Sequence, residues 1–445
     1  MRVYFVLVVG LFFCADNSAL CSDSFAGTGL GPTCDVASAH GWRDADHCWY
    51  AKVDDSGPGE HFNDNAQVVI ADDGTWVCAW TTGSAEASAD MHIVVSRSHD
   101  HGRTWSARRP IEPATESTTA AYGYLFKSPI NGRIFSIYRF HDEEVITRQI
   151  RESGHRSGLK NVLGHFHDTV GTICFRYSDD HGKTWSGRHE IPTRRTRVDN
   201  PMGPLAGWFF GIGPVIIDDH VWFSGNKHKP VGAKRWETWF WKSPNMHRAS
   251  NPSEFIWENK PAGEVGIVPD KGIKYWVEAS LVQLDDADHS YCVARNRYAG
   301  YLGPSFSTDG GETWQNPPSA AEYWDGSGRL NNPKAGPMLK QLSDGTYLLT
   351  FFNDRARPDD KIHWSKLYDR SPLWCSVGWP DGHVLKFAQP ELLLYNDEDV
   401  TASAEGNRSS IYAPFLFEAD GDVFTVVSHK KTDVQITRIP RALIE

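Results

Sequence analysis

One octapeptide pattern, S-x-D-x-G-x-T-W, constrains the fold of this chain more than any other feature of its sequence. Three copies occur, at residues 98–105, 178–185 and 307–314, and each keeps all five fixed letters. Ser and Asp side chains accept hydrogen bonds from nearby backbone N–H groups and close a turn, while Gly supplies a positive φ. The Trp then folds back as an apolar plug. One hairpin turn repeated at distant positions predicts a repeat architecture.

A longer phrase, in which a tight turn joins two apolar strands, occurs six times. Asp-Gly and Asn-Gly dipeptides between alternating strands are strong hairpin signals. The phrases cover residues 68–80, 125–138, 214–223, 279–294, 338–352 and 415–427. About 400 residues over six units leave roughly 65 for each, which suits a blade of four strands with long loops. We therefore predict an all-β, six-bladed β-propeller over residues 61–445, with seven blades as the alternative.

Composition restricts the partners of this chain. The formal net charge is −11, and aromatic residues make up 12% of the sequence, with 18 Trp, which suits half-buried strands. An acidic surface argues against nucleic acid and anionic membranes as partners. A local cluster of arginines can still bind an anionic substrate.

The N-terminal segment resembles a secretory signal peptide. Residues 1–21 carry one positive charge, a short apolar run and small residues near the end, and the run is too short to span a membrane comfortably. A buried first strand is the alternative. We expect a secreted protein, extracellular or periplasmic, with an irregular lead-in over residues 22–60 before the propeller.

The cysteines show no metal-binding spacing, and we expect neither a metal nor a cofactor. A disulfide between Cys34 and Cys48 is plausible in an oxidising compartment. Cys78, Cys174 and Cys292 lie within apolar strands and are expected to be buried thiols.

The octapeptide resembles the Asp box of sialidases and related β-propellers. In that family the boxes lie on the outer rim of the blades, away from the active site. The resemblance therefore implies a fold, and the function has to be argued from other residues.

Four further residues follow one another in an order similar to that of sialidase active-site residues. Glu278 opens an apolar strand, Arg295 ends the next one, Arg370 precedes a late strand, and Tyr412 opens the last blade. The resemblance implies that Tyr412 is the nucleophile and Glu278 the base that polarises it. Arg295 and Arg370 would then clamp the substrate carboxylate. A neutral tyrosine avoids the repulsion that this carboxylate would exert on an anionic nucleophile.

The resemblance fails at the first blade. Sialidases carry a third clamp arginine there, but Asn63 and Asp64 occupy this position, and we expect them to contact the substrate instead. Losing one charged hydrogen bond of the clamp would cost about 1.5–3 kcal/mol, which favours a different substrate. Sialidases also use an aspartate before the first box as general acid. Asp90 is our choice over Glu86, with His92 beside it as a substrate-binding residue.

Three functions remain open at this point. The first is a retaining exo-glycosidase, expected to be a monomer, that removes a terminal acidic sugar from glycans. The second is a lyase on uronate-containing polysaccharide, which would use a Tyr or a His as base; the candidate histidines are His61, His92, His165 and His167. The third is a propeller that binds glycans without catalysis.

Overall fold

The computed structural model describes most of the chain beyond residue 60. The described residues are 48–52, 61–152, 171–199, 207–210, 213–228, 236–269, 275–284, 288–297, 300–316, 318–353, 370, 372–394 and 411–445. Side chains of 48–52, of 207–210 and of a few strand ends are outside this description.

Six sheets form the six blades of a β-propeller, as the hairpin phrases predict. Blade 1 contains β2 (Phe62–Ile70), β3 (Trp76–Gly83), β4 (His92–Ser98) and β5 (Arg109–Glu112). Blade 2 contains β6 (Thr118–Lys127), β7 (Ile134–Asp142), β8 (Thr172–Ser178) and β9 (His189–Glu190), and helix α1 (Glu143–Glu152) follows β7. Blade 3 contains β10 (Gly207–Phe210), β11 (Val215–Ile217), β12 (His220–His228), β13 (Glu237–Ser243) and β14 (Glu258–Lys260).

The remaining three blades complete the ring. Blade 4 contains β15 (Tyr275–Gln283), β16 (Ser290–Arg297) and β17 (Leu302–Ser307). Blade 5 contains β18 (Glu322–Tyr323), β19 (Met338–Gln341), β20 (Tyr347–Phe351), β21 (Leu373–Asp381), β22 (Val384–Phe387) and β23 (Glu391–Leu394). Blade 6 contains β24 (Ile411–Ala419), β25 (Asp422–His429), β26 (Asp433–Ile439) and β1 (Cys48–Lys52). Single 3-10 turns lie at Pro252–Glu254 and Arg441–Leu443.

The inner strands of the blades surround a central channel. Residues from β2, β6, β11, β15, β19 and β24 line a cavity of about 530 Å³. Around the ring, β15 packs against β12 and β19, while β2 packs against β6 and β24. The last contact joins the final blade to the first, so the ring is closed.

One strand lies inside the segment that was expected to be irregular. Strand β1 pairs antiparallel with β26, so that the chain upstream of blade 1 supplies the fourth strand of blade 6. This pairing satisfies an edge that would otherwise be open. The lead-in therefore completes the sixth blade, and no seventh sheet occurs among the described residues. The predicted signal peptide and Cys34 lie outside those residues.

Aromatic side chains fill the space where blade 6 meets blade 1. The ring of Trp76, which is 1% exposed, lies 5.3 Å from that of Phe417 and 5.1 Å from that of Phe424, both in edge-to-face geometry. Such pairs add about 0.5–1.5 kcal/mol to the benefit of burial. The predicted buried thiols Cys78, Cys174 and Cys292 are confirmed.

All three octapeptides form the same hydrogen-bonded turn. In the second copy, Ser178 Oγ accepts the Gly182 N–H at 2.8 Å, and the Asp180 carboxylate accepts from both the N–H and the hydroxyl of Thr184. Gly182 has a φ of 78°, and a Cβ there would lie 2.9 Å from a methyl group of Val77 in the neighbouring blade. The motif thus closes the turn and lets one blade approach the next.

We predict that Asp180→Ala destabilises the protein by about 1–2 kcal/mol, because the three hydrogen bonds that its carboxylate accepts, from the Ser178 hydroxyl and from the N–H and hydroxyl of Thr184, are lost. Burial alone would raise the pKa of Asp180, but the bonds from Thr184 lower it from 3.8 to about 2. Because this pKa is lower in the folded state, the ionised carboxylate stabilises the fold at every pH above its unfolded-state pKa. The stabilisation is lost as the pH falls through the folded-state pKa. The cost of Asp180→Ala should therefore be full at neutral pH and shrink between about pH 4 and pH 2.

Urea unfolding at several pH values measures this effect, with Lys183→Ala at an exposed position of the same turn as control. Equal stability of wild type and Asp180→Ala at neutral pH would contradict the prediction.

Candidate active site

Bulges in four inner strands shape one mouth of the channel. The pairing register shifts between Asp64 and Gln67 in β2, between Ala121 and Tyr124 in β6, between Val277 and Ser280 in β15, and between Tyr412 and Phe415 in β24. A bulge turns side chains away from the regular alternation of a strand. The bulged segments therefore point polar side chains at the mouth from blades 1, 2, 4 and 6.

The predicted base, Glu278, sits in a strained backbone conformation at one of these bulges. Its φ is 57°, which costs a non-glycine residue about 1–2 kcal/mol. Its carboxylate lies against Gly336, where a Cβ would come within 2.8 Å of Oε2. Arg295 Nη1 donates to Glu278 Oε1 at 2.7 Å. The structure thus brings together two of the predicted site residues in one ion pair.

The predicted nucleophile, Tyr412, lies close to two cationic groups. The Arg370 guanidinium is 4.5 Å from the ring centroid of Tyr412, and Lys431 Nζ is 4.8 Å from it. Arg370 Nη2 donates to the Lys334 carbonyl at 3.0 Å, while its buried Nε has no hydrogen-bond partner among the described residues.

Lys431 forms a compact ion cluster with two carboxylates. Its Nζ lies 3.2 Å from Asp64 Oδ2 and 2.7 Å from Glu86 Oε2. Burial alone would lower the pKa of Lys431, but the charges of Asp64 and Glu86 raise it. Burial alone would raise the pKa of Glu86, but the nearby charges of Lys431, Arg370 and Lys334 lower it. Glu86 and Lys431 are therefore both charged at neutral pH.

Tyr124 is a second phenol in the same region, and sequence reasoning missed it. Burial raises its pKa well above 10, and the nearby charges of Glu278 and Asp64 raise it further. The phenol thus lies within reach of carboxylates from blade 4 and blade 1 and stays neutral. Gly123, inside an otherwise regular strand pattern, was the available signal, since such a glycine indicates a bulge.

Asn63 lies at the junction where blade 1 meets blade 6 and closes the ring. The side chain is 1% exposed; it accepts from Trp80 Nε1 at 2.8 Å and donates to the Thr432 carbonyl at 2.6 Å. Its backbone N–H donates to the Lys431 carbonyl at 2.6 Å. These bonds engage both ends of the amide and hold Asn63 at the junction of blade 1 with blade 6.

Asp90 and His92 are held within their own loop. The Asp90 carboxylate accepts from the backbone N–H and hydroxyl of Ser84 and from the hydroxyl of Ser88, while His92 Nδ1 bonds to the Asp90 carbonyl. Burial would raise the pKa of Asp90, but these donors lower it. Glu86, four residues earlier, is the carboxylate that this loop brings to the ion cluster.

The remaining expectations concern the candidate histidines, metal binding and the membrane. His61 is exposed at the start of blade 1, whereas His165 and His167 lie outside the described residues. Within the described ranges, no group of three or more His, Cys, Asp or Glu is placed to hold a metal ion. No helix in the described part of the chain is both long and apolar enough to cross a membrane.

Comparison with known proteins gives one family and a consistent set of relatives. The family model "BNR repeat-like domain" matches residues 74–424. A sialidase of Clostridium perfringens is 26% identical over 238 residues, 51% of this chain and 53% of that protein. A sialidase of Paraclostridium sordellii is 24% identical over 242 residues, 52% of this chain and 51% of that protein. The chain spans about half the length of the curated relatives it matches.

Solved structures show the same fold. The Hadza microbial sialidase Hz136 has a TM-score of 0.59 at 14% identity, covering 87% of this chain and 67% of that one. The intramolecular trans-sialidase from Ruminococcus gnavus, solved with oseltamivir carboxylate, has a TM-score of 0.56 at 13% identity, covering 93% and 99%. At these identities the likeness concerns the fold alone.

We predict that Asn63→Ala destabilises the protein by about 2–3 kcal/mol, because the Trp80 N–H and the Thr432 carbonyl lose their partner. Trp80→Phe removes one of the same bonds from the other side. The sum of the costs of the two single changes should exceed the cost of the double change, because both single changes break the bond between Asn63 and Trp80. Urea unfolding of the four proteins measures the cycle, and strictly additive costs would contradict a stabilising role for this bond.

Proposed function

Because the chain belongs to the BNR repeat-like domain family, we propose that it is a sialidase-type glycoside hydrolase that removes a terminal acidic sugar from glycans. The observation that carries the proposal is the placement of Tyr412, a phenol flanked by the cations of Arg370 and Lys431 at the channel mouth. Such a site attracts a carboxylate and presents a phenolic nucleophile beside it. We further propose that the protein works outside the cytoplasm, as its N-terminal segment suggests.

Arginines orient the substrate in this proposal. Arg370 has a buried Nε–H without a hydrogen-bond partner in the described part of the chain, and a guanidinium presents five donors in a planar fork. That fork matches the two oxygens of a sugar carboxylate. Arg295 lies on blade 4, where its guanidinium donates a hydrogen bond to Glu278.

Tyr412 and Glu278 carry the covalent step. Glu278 takes the phenolic proton as the Tyr412 oxygen bonds to the anomeric carbon, and the glycosidic C–O bond breaks. The leaving oxygen accepts a proton from an acid. Water then attacks the anomeric carbon and gives its proton to the conjugate base of that acid. The phenolate leaves and recovers its proton from Glu278, so that the configuration is retained.

Glu86 suits the role of acid better than Asp90 does. Only Glu86 reaches the ion cluster beside Tyr412, because the carboxylate of Asp90 is held by Ser84 and Ser88. In the unliganded protein Lys431 and Arg370 keep Glu86 ionised. An acidic sugar brings its own negative charge to these cations and weakens their hold on Glu86. The carboxyl can then carry the proton that the leaving group needs.

We predict that Tyr412→Phe abolishes turnover of sialyl glycans while leaving the unfolding curve unchanged, since only the nucleophilic oxygen is removed. Tyr177→Phe, on the rim beside the second octapeptide, is the matched control and should keep full activity. Released sugar acid, measured together with the ultraviolet absorbance of unsaturated uronates, distinguishes hydrolysis from elimination. Unchanged turnover by Tyr412→Phe, or the appearance of unsaturated product, would exclude the proposed mechanism.

We also predict different effects for the two candidate acids. Glu86→Gln should slow hydrolysis of natural glycans by about 10²–10⁴-fold but spare aryl glycosides, whose leaving group needs little protonation. Asp90→Asn should affect both substrates equally and weakly. If Asp90→Asn instead shows the substrate-dependent loss, the acid is Asp90. Steady-state kinetics on the two substrate types measures the contrast.

A further inference from the structure

Resting on the proposed function, we propose that Lys431 supplies the third cation of the carboxylate clamp, in place of the arginine that blade 1 lacks. The sequence alone suggested that this loss points to a different substrate. The geometry points instead to a clamp that still holds the substrate carboxylate with three cations, the third of which comes from blade 6.

The turn that carries Lys431 is built to present this side chain. Strands β25 and β26 are joined by Lys430, Lys431 and Thr432. Lys430 and Lys431 have φ values of 52° and 58°, and the Thr432 N–H donates to the His429 carbonyl at 2.9 Å. A β-turn in which both central residues have positive φ strongly favours Asn-Gly. Lysine at both positions costs backbone free energy, and strain of this kind concentrates at functional sites.

The position of Lys431 corresponds to that of the missing arginine. Its ammonium lies 3.2 Å from Asp64, the residue that stands where the first-blade arginine was expected. The same group lies 4.8 Å from the ring of Tyr412 and 5.4 Å from that of Phe62. A ligand carboxylate held near Tyr412 is therefore within reach of this cation.

Asn63 and Asp64 act as the support of Lys431. Asn63 binds the carbonyls of both Lys431 and Thr432, which fixes the turn against blade 1. Asp64, whose side chain is 7% exposed, holds the Lys431 ammonium at 3.2 Å through an ion pair. Blade 1 thus holds a cation that blade 6 supplies, at the position where an arginine of blade 1 was expected.

Lys431 keeps capacity for a ligand despite its two ion pairs. An ammonium has three N–H donors, and Asp64 and Glu86 account for two of them. The Glu86 side chain is 50% exposed and can swing away, whereas buried Asp64 cannot. An incoming carboxylate therefore competes with Glu86 for Lys431 and leaves the pair with Asp64 intact.

The test measures binding rather than turnover, so that it does not depend on the chemical step. The probes are the 2,3-dehydro analogue of N-acetylneuraminic acid and the same compound with its carboxylate reduced to an alcohol. The proteins are the full-length wild type, Lys431→Arg, Asp64→Asn and the double variant Asp64→Asn/Lys431→Met. The double variant removes the cation without leaving Asp64 as a buried unpaired charge, which would otherwise threaten folding.

Calorimetry should show that the double variant binds the acid about 10- to 100-fold more weakly than Asp64→Asn does, as expected for loss of one charged hydrogen bond. Lys431→Arg should retain most of the affinity. The alcohol should bind all four proteins equally, because it offers no charge to Lys431.

Three results would overturn the proposal, and they are distinguishable. If the double variant binds the acid as tightly as Asp64→Asn, Lys431 is not part of the clamp, although the proposed function stands. If it loses affinity for acid and alcohol alike, Lys431 only supports the fold of the mouth. If the wild type binds neither probe, the proposed function fails together with the clamp.

Discussion

Closure of the ring between blade 6 and blade 1 is the constraint on which the rest of this structure depends. Six separate sheets cannot bury their inner strands unless the last one meets the first. Trp76 packs against Phe417 and Phe424 at that junction, β1 completes blade 6, and Asn63 bonds to the turn after β25. The same junction carries Asp64 and Lys431, so that the contact that closes the fold also places a charge at the mouth.

Strained backbone conformations recur at this mouth, one in the bulge of each of four inner strands. Asn65, Tyr122, Glu278 and Ala413 all have positive φ at bulges of inner strands. Positive φ values also occur outside these bulges, where glycine adopts them in each octapeptide and His101 and His181 adopt them in two of the three. A structure retains costly conformations only where the surroundings enforce them, and such conformations cluster where side chains must be aimed at a ligand.

Electrostatic balance explains how so many ionisable groups coexist in one small region. Glu278 pairs with Arg295, Asp64 and Glu86 pair with Lys431, and Arg370 lies over Tyr412. With Lys334 near Glu86, cations slightly outnumber carboxylates. The mouth is thus able to attract one further negative charge, although the chain as a whole is acidic.

The sequence by itself determined the architecture, because the information for it is local. Each octapeptide contains every group that its turn needs, and alternating strands around Asp-Gly turns specify hairpins without reference to distant residues. Glu278, Arg295, Arg370 and Tyr412 could be located for a similar reason, since each stands at the end of a recognisable strand.

Only the tertiary structure decided how these residues are used. Asn63 links blade 1 to blade 6, and Lys431 lies beside Tyr412, because residues more than 360 positions apart meet at the ring closure. Glu86 and Asp90 are four residues apart in one loop, and nothing in their local sequence shows which one faces a cation from blade 6. Such pairings depend on long-range packing and on compensation of buried charge, which a linear pattern does not record.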